Sequence, residues 1–340
     1  MSTTRPAFVN LEVADYNVSH YWEFPAFQPG LLDLLRRRIT ILNRIQAVPA
    51  TGHPTRYREQ TKIPTNAIFA DPRKGVGGGS YGIDTINDDY GRVERAAMLK
   101  AMVSRIRFTL FDKELVQQQG NMEFLLAKDM QDMMFDFLRV QNDAIWNGTD
   151  TSLAAPTKLE YMGLLKQITT QVEIPDLVVP TNASAAKGDN YISDFLCRQI
   201  AELEADNTWE VYPTAFYANP LTIQFINEQE RFRKGLHTTA NESTLEISTG
   251  YRVPYITTMK GNIPLIPEPY IKLDGDTHKI AAVNESLIER HYLTSPAPRI
   301  FKMSLHPDLM DDYIAVLFDT VIVKGADHGH FIAEFEVPAA

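Results

Sequence analysis

One long amphipathic segment constrains the fold of this chain more than any other feature. Its apolar residues recur at intervals of three and four, which predicts a helix of about 25 residues, roughly 37 Å long, that buries one side. Methionine at helical spacing is typical of adaptable core packing, so the methionines indicate core rather than a cofactor or metal site. The apolar positions are Met122, Leu125, Leu126, Met130, Met133, Met134, Phe137, Leu138 and Ile145.

The helix is predicted to stop at Asn147-Gly148, where the sequence reads QNDAIWNGTDTS. Gly148 can adopt the left-handed conformation that ends many helices, and Asn147 tolerates it. Thr149 to Ser152 offer hydroxyls and a carboxylate to free backbone amides. We therefore expect a left-handed glycine cap at Gly148. A second short apolar run, YMGLLKQI, follows about ten residues later.

Composition narrows the possible functions. The 340 residues exceed what one hydrophobic core usually supports, so two subdomains or large excursions are expected. A net charge of −10 argues against a dedicated nucleic-acid surface. The basic cluster Arg36-Arg37-Arg38 lies on the polar side of a predicted helix and is read as a solvated face, with anionic contact as the alternative. Cys197 is the only cysteine, which excludes a disulfide framework and favours a reducing cytoplasm.

Neither a membrane-spanning segment nor a signal peptide is expected. No apolar run approaches the roughly 20 residues of a membrane-spanning helix. The start of the chain, MSTTRPAFVN, carries no apolar signal segment. The first thirty residues combine large apolar side chains with Pro6, Pro25 and Pro29, which is typical of an extended arm that is buried either on a neighbouring subunit or on the core of its own chain.

A long two-stranded excursion is predicted after the arm. TRYREQTKI at 55–63 is consistent with a polar strand and SRIRFTL at 104–110 alternates as a strand does, whereas 91–103 fits helix or strand. Between them, KGVGGGSYG at 74–82 holds five glycines and is predicted to form the mobile tip. Its lysine precedes the glycines, so it lacks the order that a phosphate-binding loop requires.

The second half of the chain mixes helices and strands. YISDFLCRQIAEL at 191–203 predicts a helix beside which Cys197 packs. TWEVYPTAFYAN predicts a buried strand, and Asn219 followed by Pro220 predicts the start of another helix. Further strands are predicted in YRVPYITT, NIPLIPEPYI, RIFKMSL, YIAVLFDTVIVKG and HFIAEFEV. The chain is therefore predicted to be α+β.

Catalytic patterns are weak throughout. His328 and His330, beside Asp327, would project to one side if they lay on a strand, and could then bind a metal. Gly325 and Gly329 favour a hairpin turn instead. His237 has hydroxyl residues nearby but no nucleophile-elbow motif. No residue is therefore assigned a catalytic, cofactor-binding or metal-binding role, no cofactor is expected, and the protein is not expected to be an enzyme.

The order of these features resembles the major capsid proteins of tailed bacteriophages, with the Hong Kong ninety-seven type of capsid fold. The arm, the glycine-tipped hairpin and the turn FDKEL lead into a helix ending in A-I-x-N-G, here Ala144 to Gly148. A G-L-x-x-Q-I phrase follows, here Gly163 to Ile168. PTAFYANP and YRVPYITTMKGNIPLIPEPYI are similar in kind to the axial domain of that family.

The resemblance implies a fold in five parts. It implies an N-terminal arm at 1–50, an extended loop at 51–110, a peripheral domain with the spine helix at 111–185, an axial domain at 186–300, and C-terminal strands at 301–340. Some family members crosslink a lysine of the extended loop to an asparagine of a neighbour. Lys62 and Lys74 lie in that region, but no matching asparagine or assisting carboxylate can be identified, so crosslinking is not expected.

The resemblance also implies a function. The protein would assemble with itself as hexamers and pentamers into the icosahedral shell of a virion, around DNA that it contacts non-specifically. A separate scaffolding protein, a portal and a decoration protein are the implied partners, assembly would occur in the host cytoplasm, and no membrane is involved. An encapsulin-like bacterial nanocompartment shell and a metal-dependent hydrolase using His328 and His330 are the alternatives.

Overall fold

A computed structural model describes residues 41–62, 91–111, 114, 122–149, 159–179, 190–205, 210–233, 254–303 and 310–337. Its helices are α1 (Met122–Asn147), α2 (Leu164–Gln167), α3 (Ile192–Ala205) and α4 (Pro220–Arg233). Its strands are β1 (Gln46–Pro49), β2 (Thr55–Lys62), β3 (Gly91–Ala97), β4 (Lys100–Thr109), β5 (Gln171–Glu173), β6 (Ala215–Ala218), β7 (Tyr255–Thr258), β8 (Gly261–Pro267), β9 (Thr277–Val283), β10 (Ile288–Tyr292), β11 (Arg299–Lys302), β12 (Met310–Val323) and β13 (Phe331–Glu336). The α+β prediction is confirmed.

The chain forms two compact units. Unit 1 contains the described residues within 101–140 and 297–317. Unit 2 is built from residues 40–100, 141–296 and 318–340.

Unit 1 packs α1 against one face of a sheet. β11 pairs antiparallel with β12, and β4 also pairs with β12. Met133 and Phe137 of α1 are 4% and 2% exposed. They pack against Ala315, Leu317, Met102 and Ile106 of the sheet. The predicted helix and the inward placement of these two side chains are confirmed; the side chains of Leu125 and Leu126 lie outside the described residues.

Unit 2 contains a six-stranded sheet in the order β5-β13-β9-β6-β8-β7. All four residues of β6 are buried, as the sequence predicts. Helix α3 buries Ile192, Phe195, Leu196 and Ile200 in the same hydrophobic cluster as β6 and β9 residues. Helix α4 begins where predicted, because Asn219 Oδ1 accepts a hydrogen bond from the amide of Leu221 at 3.0 Å.

A second set of strands in unit 2 surrounds the end of α1. β1 pairs parallel with β10, and β10 pairs antiparallel with residues 319–323 of β12. Ile145 and Trp146 are fully buried here, beside Tyr217 and Ile288. The rings of Trp146 and Tyr217 lie 5.2 Å apart. The final turns of α1 are thus fixed by aromatic and aliphatic packing.

The hairpin is formed by β2 and β3, which pair antiparallel from Thr55 opposite Ala97 to Lys62 opposite Gly91. The predicted strand at 55–63 is confirmed. The returning strand, however, is 91–97 and not 104–110, which belongs to β4 and joins β12. Alternation reports which side chains of a strand are exposed and not which strand lies beside it, so it cannot assign the pairing partner.

Several predictions fall on parts of the chain that the structure does not describe. These are the arm up to residue 40 with Arg36-Arg37-Arg38, the glycine-rich tip with Lys74, and His237. They stay predictions.

Candidate functional site

The end of α1 is fixed by a close backbone contact between two glycines. The amide of Gly163 donates to the carbonyl of Gly148 at 2.9 Å, and the amide of Gly148 donates to the carbonyl of Ala144 at 2.9 Å. A Cβ on Gly148 would lie 2.0 Å from the carbonyl oxygen of Tyr161, and one on Gly163 would lie 2.5 Å from the amide nitrogen of Gly148. The two phrases A-I-W-N-G and G-L-L-K-Q-I therefore meet backbone to backbone.

The predicted left-handed cap at Gly148 is wrong. The described glycines with positive φ are Gly261, Gly275, Gly325 and Gly329. Position 148 requires glycine because a side chain there would collide with neighbouring backbone atoms, and not because of the backbone conformation. Helix termination at Asn147 is confirmed. The Asn147 side chain donates to the carbonyl of Tyr270 at 2.7 Å.

The side chain of Gln167 forms hydrogen bonds with the backbone of β12 as a neighbouring strand would. Its Nε2 donates to the carbonyl of Val321 at 3.0 Å, and its Oε1 accepts from the amide of Val323 at 3.0 Å. Nε2 also donates to the carbonyl of Met162 at 2.6 Å. Because a backbone amide group pairs in the same way, Gln167 satisfies an edge of β12 that would otherwise be unpaired.

Polar contacts attach the base of the hairpin to the rest of unit 2. Arg95 of β3 donates to Glu59 at 2.7 Å and also contacts Asp327 in the turn after β12. The hydroxyl of Thr169 donates to Asp327 at 2.8 Å. These hydrogen bonds, Thr169 first and Arg95 after it, lower the pKa of Asp327.

Tyr57 adds a partly buried contact at the same place. Its hydroxyl donates to the carbonyl of Val323 at 3.2 Å. Burial, and secondarily the charge of Glu59, raises the pKa of Tyr57 to about 12. The phenol therefore stays protonated and remains a donor throughout the physiological range.

A second polar chain holds the start of β2. Thr55 Oγ1 lies 3.2 Å from His291 Nδ1, and His291 Nε2 lies 3.0 Å from Glu289 Oε2. Lys324 Nζ contacts the other carboxylate oxygen of Glu289 at 2.5 Å. A hydroxyl, an imidazole and a carboxylate in this order resemble a nucleophilic relay. Thr55 is only 1% exposed, however, so no substrate reaches its hydroxyl. These contacts therefore anchor the start of β2.

A cavity of about 290 Å³ lies next to the hairpin base. Tyr57 and Arg95 of the hairpin line one side, and the edge of β12 from Thr320 to Val323 lines another. Lys100 and Lys166 also contribute. The volume is at the lower limit for small-molecule sites.

The histidine pair does not form a metal site. Residues 324–330 form a turn and not a strand, and Gly325 and Gly329 have φ of 68° and 75°, as the alternative prediction required. His330 is 1% exposed; its Nδ1 accepts from the amide of Asn284 at 3.1 Å, and its Nε2 lies 3.3 Å from the carbonyl of Lys324. Burial lowers the pKa of His330 to about 4, so it is neutral and both nitrogens are engaged.

Other sequence candidates have packing roles. Cys197 Sγ lies 3.1 Å from the carbonyl of Thr257, and burial raises the pKa of this thiol. Within the described ranges no cluster of three metal-ligating side chains occurs. Of the helices there, none combines the length and apolar composition needed to cross a bilayer.

Sequence reasoning did not identify the buried carboxylate of Asp319. It is 1% exposed, and Gln141 of α1 donates to it. Burial raises the pKa of Asp319 to about 6, which the charge of Arg290 and the hydrogen bond from Gln141 only partly offset. The signal available in the sequence was an aspartate inside the apolar run YIAVLFDTVIV.

Comparison with solved structures identifies the fold. The chain is similar to the capsid of an empty GTA particle, with a TM-score of 0.60 at 10% identity over 91% of this chain and 100% of that one. It is similar to a structure from Mycobacterium phage Adephagia, with a TM-score of 0.55 at 11% identity over 100% of both chains. It is also similar to the SrpI encapsulin of Synechococcus elongatus, with a TM-score of 0.50 at 17% identity over 95% of this chain and 96% of that one.

No protein-family model and no curated protein sequence matches the chain. The structural similarity nevertheless extends over nearly the whole length of both chains in each comparison. The chain therefore has the phage major capsid fold, and the fold expected from the order of its sequence features is confirmed.

Proposed function

We propose that this protein is the major capsid protein of a tailed bacteriophage, and that it assembles as hexamers and pentamers into an icosahedral shell around double-stranded DNA. The observation that carries the proposal is the fold match over 91 to 100% of this chain with capsids of GTA particles and with a structure from Mycobacterium phage Adephagia. Fold alone does not determine function, so the assembly itself is what must be measured.

The described residues support a structural role in a second way. The hairpin β2–β3 contributes no residue to the three hydrophobic clusters of the described chain. Its base is held by polar contacts instead, through Arg95, Tyr57 and Thr55. An element that adds little to its own core is suited to contact with other subunits.

Electron microscopy of the purified protein, produced alone and together with the structural proteins encoded beside it, tests the proposal. We expect closed shells or free hexamers and pentamers. A protein that stays monomeric in both preparations would contradict it. The scaffolding protein, the portal and any decoration protein are part of the proposal and would be identified in the co-expressed particles, which we expect to form in the bacterial cytoplasm.

A nanocompartment shell is the second candidate, because the chain also matches an encapsulin. The two candidates differ in what the shell contains. Particles isolated from the native source should hold nuclease-protected double-stranded DNA if the protein is a capsid subunit. A stoichiometric cargo protein in place of DNA would favour the nanocompartment.

A further inference from the structure

Asn147 and Gly148 form a dipeptide that is chemically unstable in a flexible chain. The backbone nitrogen of the residue after an asparagine can attack the side-chain amide, and glycine hinders this attack least because it has no side chain. Asn147 is the only asparagine of the chain that is followed by glycine. The sequence therefore concentrates this reaction at the residue where α1 ends.

The reaction is a deamidation that converts the asparagine into an acid. The amide nitrogen of Gly148 gives up its proton and bonds to Cγ of Asn147, while the bond from Cγ to the side-chain nitrogen breaks. That nitrogen leaves with the proton as ammonia, and a five-membered succinimide ring remains. Water then opens the ring at either carbonyl, so the products are aspartate and isoaspartate. The net change is one water consumed and one ammonia released.

In the native fold the attacking nitrogen is held in place. The amide of Gly148 donates to the carbonyl of Ala144 at 2.9 Å, as a helical amide does. Gly148 is buried, and its carbonyl accepts a hydrogen bond from the amide of Gly163 at 2.9 Å. Because the surrounding backbone leaves no room even for a Cβ at this position, the nitrogen cannot move toward Asn147 unless the contact opens.

The side chain that would be attacked is held as well. Nδ2 of Asn147 donates to Oδ1 of Asp143 and to the carbonyl of Tyr270, each at 2.7 Å. A primary amide has two N–H donors, and these two acceptors use both of them. The reaction therefore requires a local opening of the helix end, in which both the backbone nitrogen and the side-chain amide are released.

We propose that Asn147 is a deamidation site that the native fold suppresses and an unfolded chain exposes. A chain in which the end of α1 is formed keeps the amide, because both reacting groups are fixed by hydrogen bonds. A chain in which this end stays open loses the amide with time. The reaction and its suppression do not depend on whether the protein assembles into shells.

The products do not fit the native helix end. Isoaspartate routes the main chain through its Cβ and so adds one carbon before Gly148, where even a Cβ would lie 2.0 Å from the carbonyl oxygen of Tyr161. Aspartate keeps the backbone but loses both donors, so its carboxylate would face the carbonyl of Tyr270 and the carboxylate of Asp143. Lys272, 3.0 Å from Asp143, supplies one positive charge for the two carboxylates. A modified chain is therefore unable to regain the native end of α1.

Mass-spectrometric peptide mapping of the full-length protein measures the reaction. The protein is incubated in mildly alkaline buffer, with and without guanidinium chloride, and the conversion of Asn147 is followed over time. We expect conversion to be at least about tenfold slower in the native sample. In denaturant, Asn147 should be converted faster than any other asparagine.

Two variants connect the protection to the hydrogen bonds of Asn147. Asp143→Ala removes one acceptor of the side-chain amide, so the rate in native buffer should rise about threefold or more while the rate in denaturant stays the same. Lys272→Ala is the matched control, because it removes the ion-pair partner of Asp143 and leaves both hydrogen bonds of Asn147. It should show the wild-type rate in both conditions.

Refolding measures the consequence of the modification. The wild type and Asn147→Gln are kept in guanidinium chloride for increasing times and then diluted, and the folded fraction is measured by circular dichroism. Glutamine cyclises far more slowly, so the folded fraction of the variant should not change with time. The folded fraction of the wild type should fall in step with the conversion of Asn147. Asn147→Asp tests the aspartate product without refolding and should give less soluble, folded protein than the wild type.

Several results would contradict the proposal. Equal rates with and without denaturant would show that the fold does not protect Asn147, and an unchanged native rate in Asp143→Ala would show that its hydrogen bonds are not the cause. Complete refolding of the modified wild type, or an Asn147→Asp variant as stable as the wild type, would show that the helix end accepts the products.

Discussion

Gly148 and Gly163 form a contact in which a methyl group has no room. In Gly163→Ala the new Cβ would lie 2.5 Å from the amide nitrogen of Gly148 and 2.6 Å from the carbonyl oxygen of Trp146. Both are backbone atoms, so the backbone itself must move. We expect the free energy of unfolding to fall by about 3 kcal/mol or more, measured by urea denaturation.

Gly52→Ala is the matched control for that substitution. Its Cβ would meet only the carbonyl oxygen of Pro54, at 3.7 Å, which is ordinary van der Waals distance. We expect a change within about 0.5 kcal/mol. Equal stability of the Gly163 and Gly52 variants would show that the close contact is not present in solution.

Gln167 supplies both a donor and an acceptor to the backbone of β12. In Gln167→Glu the donor is lost, and a carboxylate oxygen faces the carbonyls of Val321 and Met162. We expect a loss of about 2 to 3 kcal/mol at pH 7 in chemical denaturation. Gln171→Glu, at an exposed position of β5, should change stability by no more than about 0.5 kcal/mol.

At the scale of elements, the hairpin is predicted to matter for assembly and little for folding. Replacing residues 59–94 with a short Gly-Ser linker removes Glu59 and most of both strands but keeps Thr55, Tyr57 and Arg95. Residues 100–109 must be kept, because Met102 and Ile106 pack against α1. We expect a cooperative melt and near-normal helix content by circular dichroism, with shell assembly lost or the shells fragile.

Two results would contradict the assignment of the hairpin. Intact particles of normal stability from the shortened chain would show that the hairpin is not a lattice contact. Global unfolding would show that residues 59–94 belong to the core. Met259→Ser, in the turn between β7 and β8, serves as a control for a change at the surface, since Met259 is 66% exposed.

The sequence predicted the individual helices and strands better than it predicted which strands pair. α1, α3, α4 and β6 have apolar periodicity or caps within one segment, and local physics determines them. The pairing of β2 with β3 instead of with residues 104–110 depends on contacts distant in sequence, which alternation does not encode. The roles of Gly148 and His330 also depend on residues distant in sequence. A side chain at position 148 would collide with the backbone near Gly163, and the two ring nitrogens of His330 contact Asn284 and Lys324.

For the whole molecule, two buried groups have opposite effects on stability as the pH changes. Asp319 has its pKa raised to about 6, so its stabilising contribution is complete below pH 4 and is lost as the pH rises through 6. His330 has its pKa lowered to about 4, so its contribution is complete above pH 6.5 and is lost as the pH falls through 4. Each corresponds to about 3 kcal/mol.

The two contributions offset each other in the native protein between about pH 4 and 6.5. Asp319→Asn removes only the contribution of Asp319, which is the one present at acidic pH. We therefore expect the variant to lose about 3 kcal/mol of stability relative to the wild type on acidification from pH 6.5 to 4, measured by denaturation at a series of pH values. Asp274→Asn, at an exposed position, should retain the wild-type profile. Parallel profiles for all three proteins would show that Asp319 does not titrate in this range.

Gln167 has a further consequence wherever many copies of the chain are concentrated together. An exposed strand edge accepts any extended segment, including one from a misfolded neighbour, and such pairing competes with ordered growth. By binding the amide of Val323 and the carbonyl of Val321, Gln167 makes this stretch of β12 unavailable to other chains. A single side chain thus closes an edge of β12 with which a strand of another copy could otherwise pair.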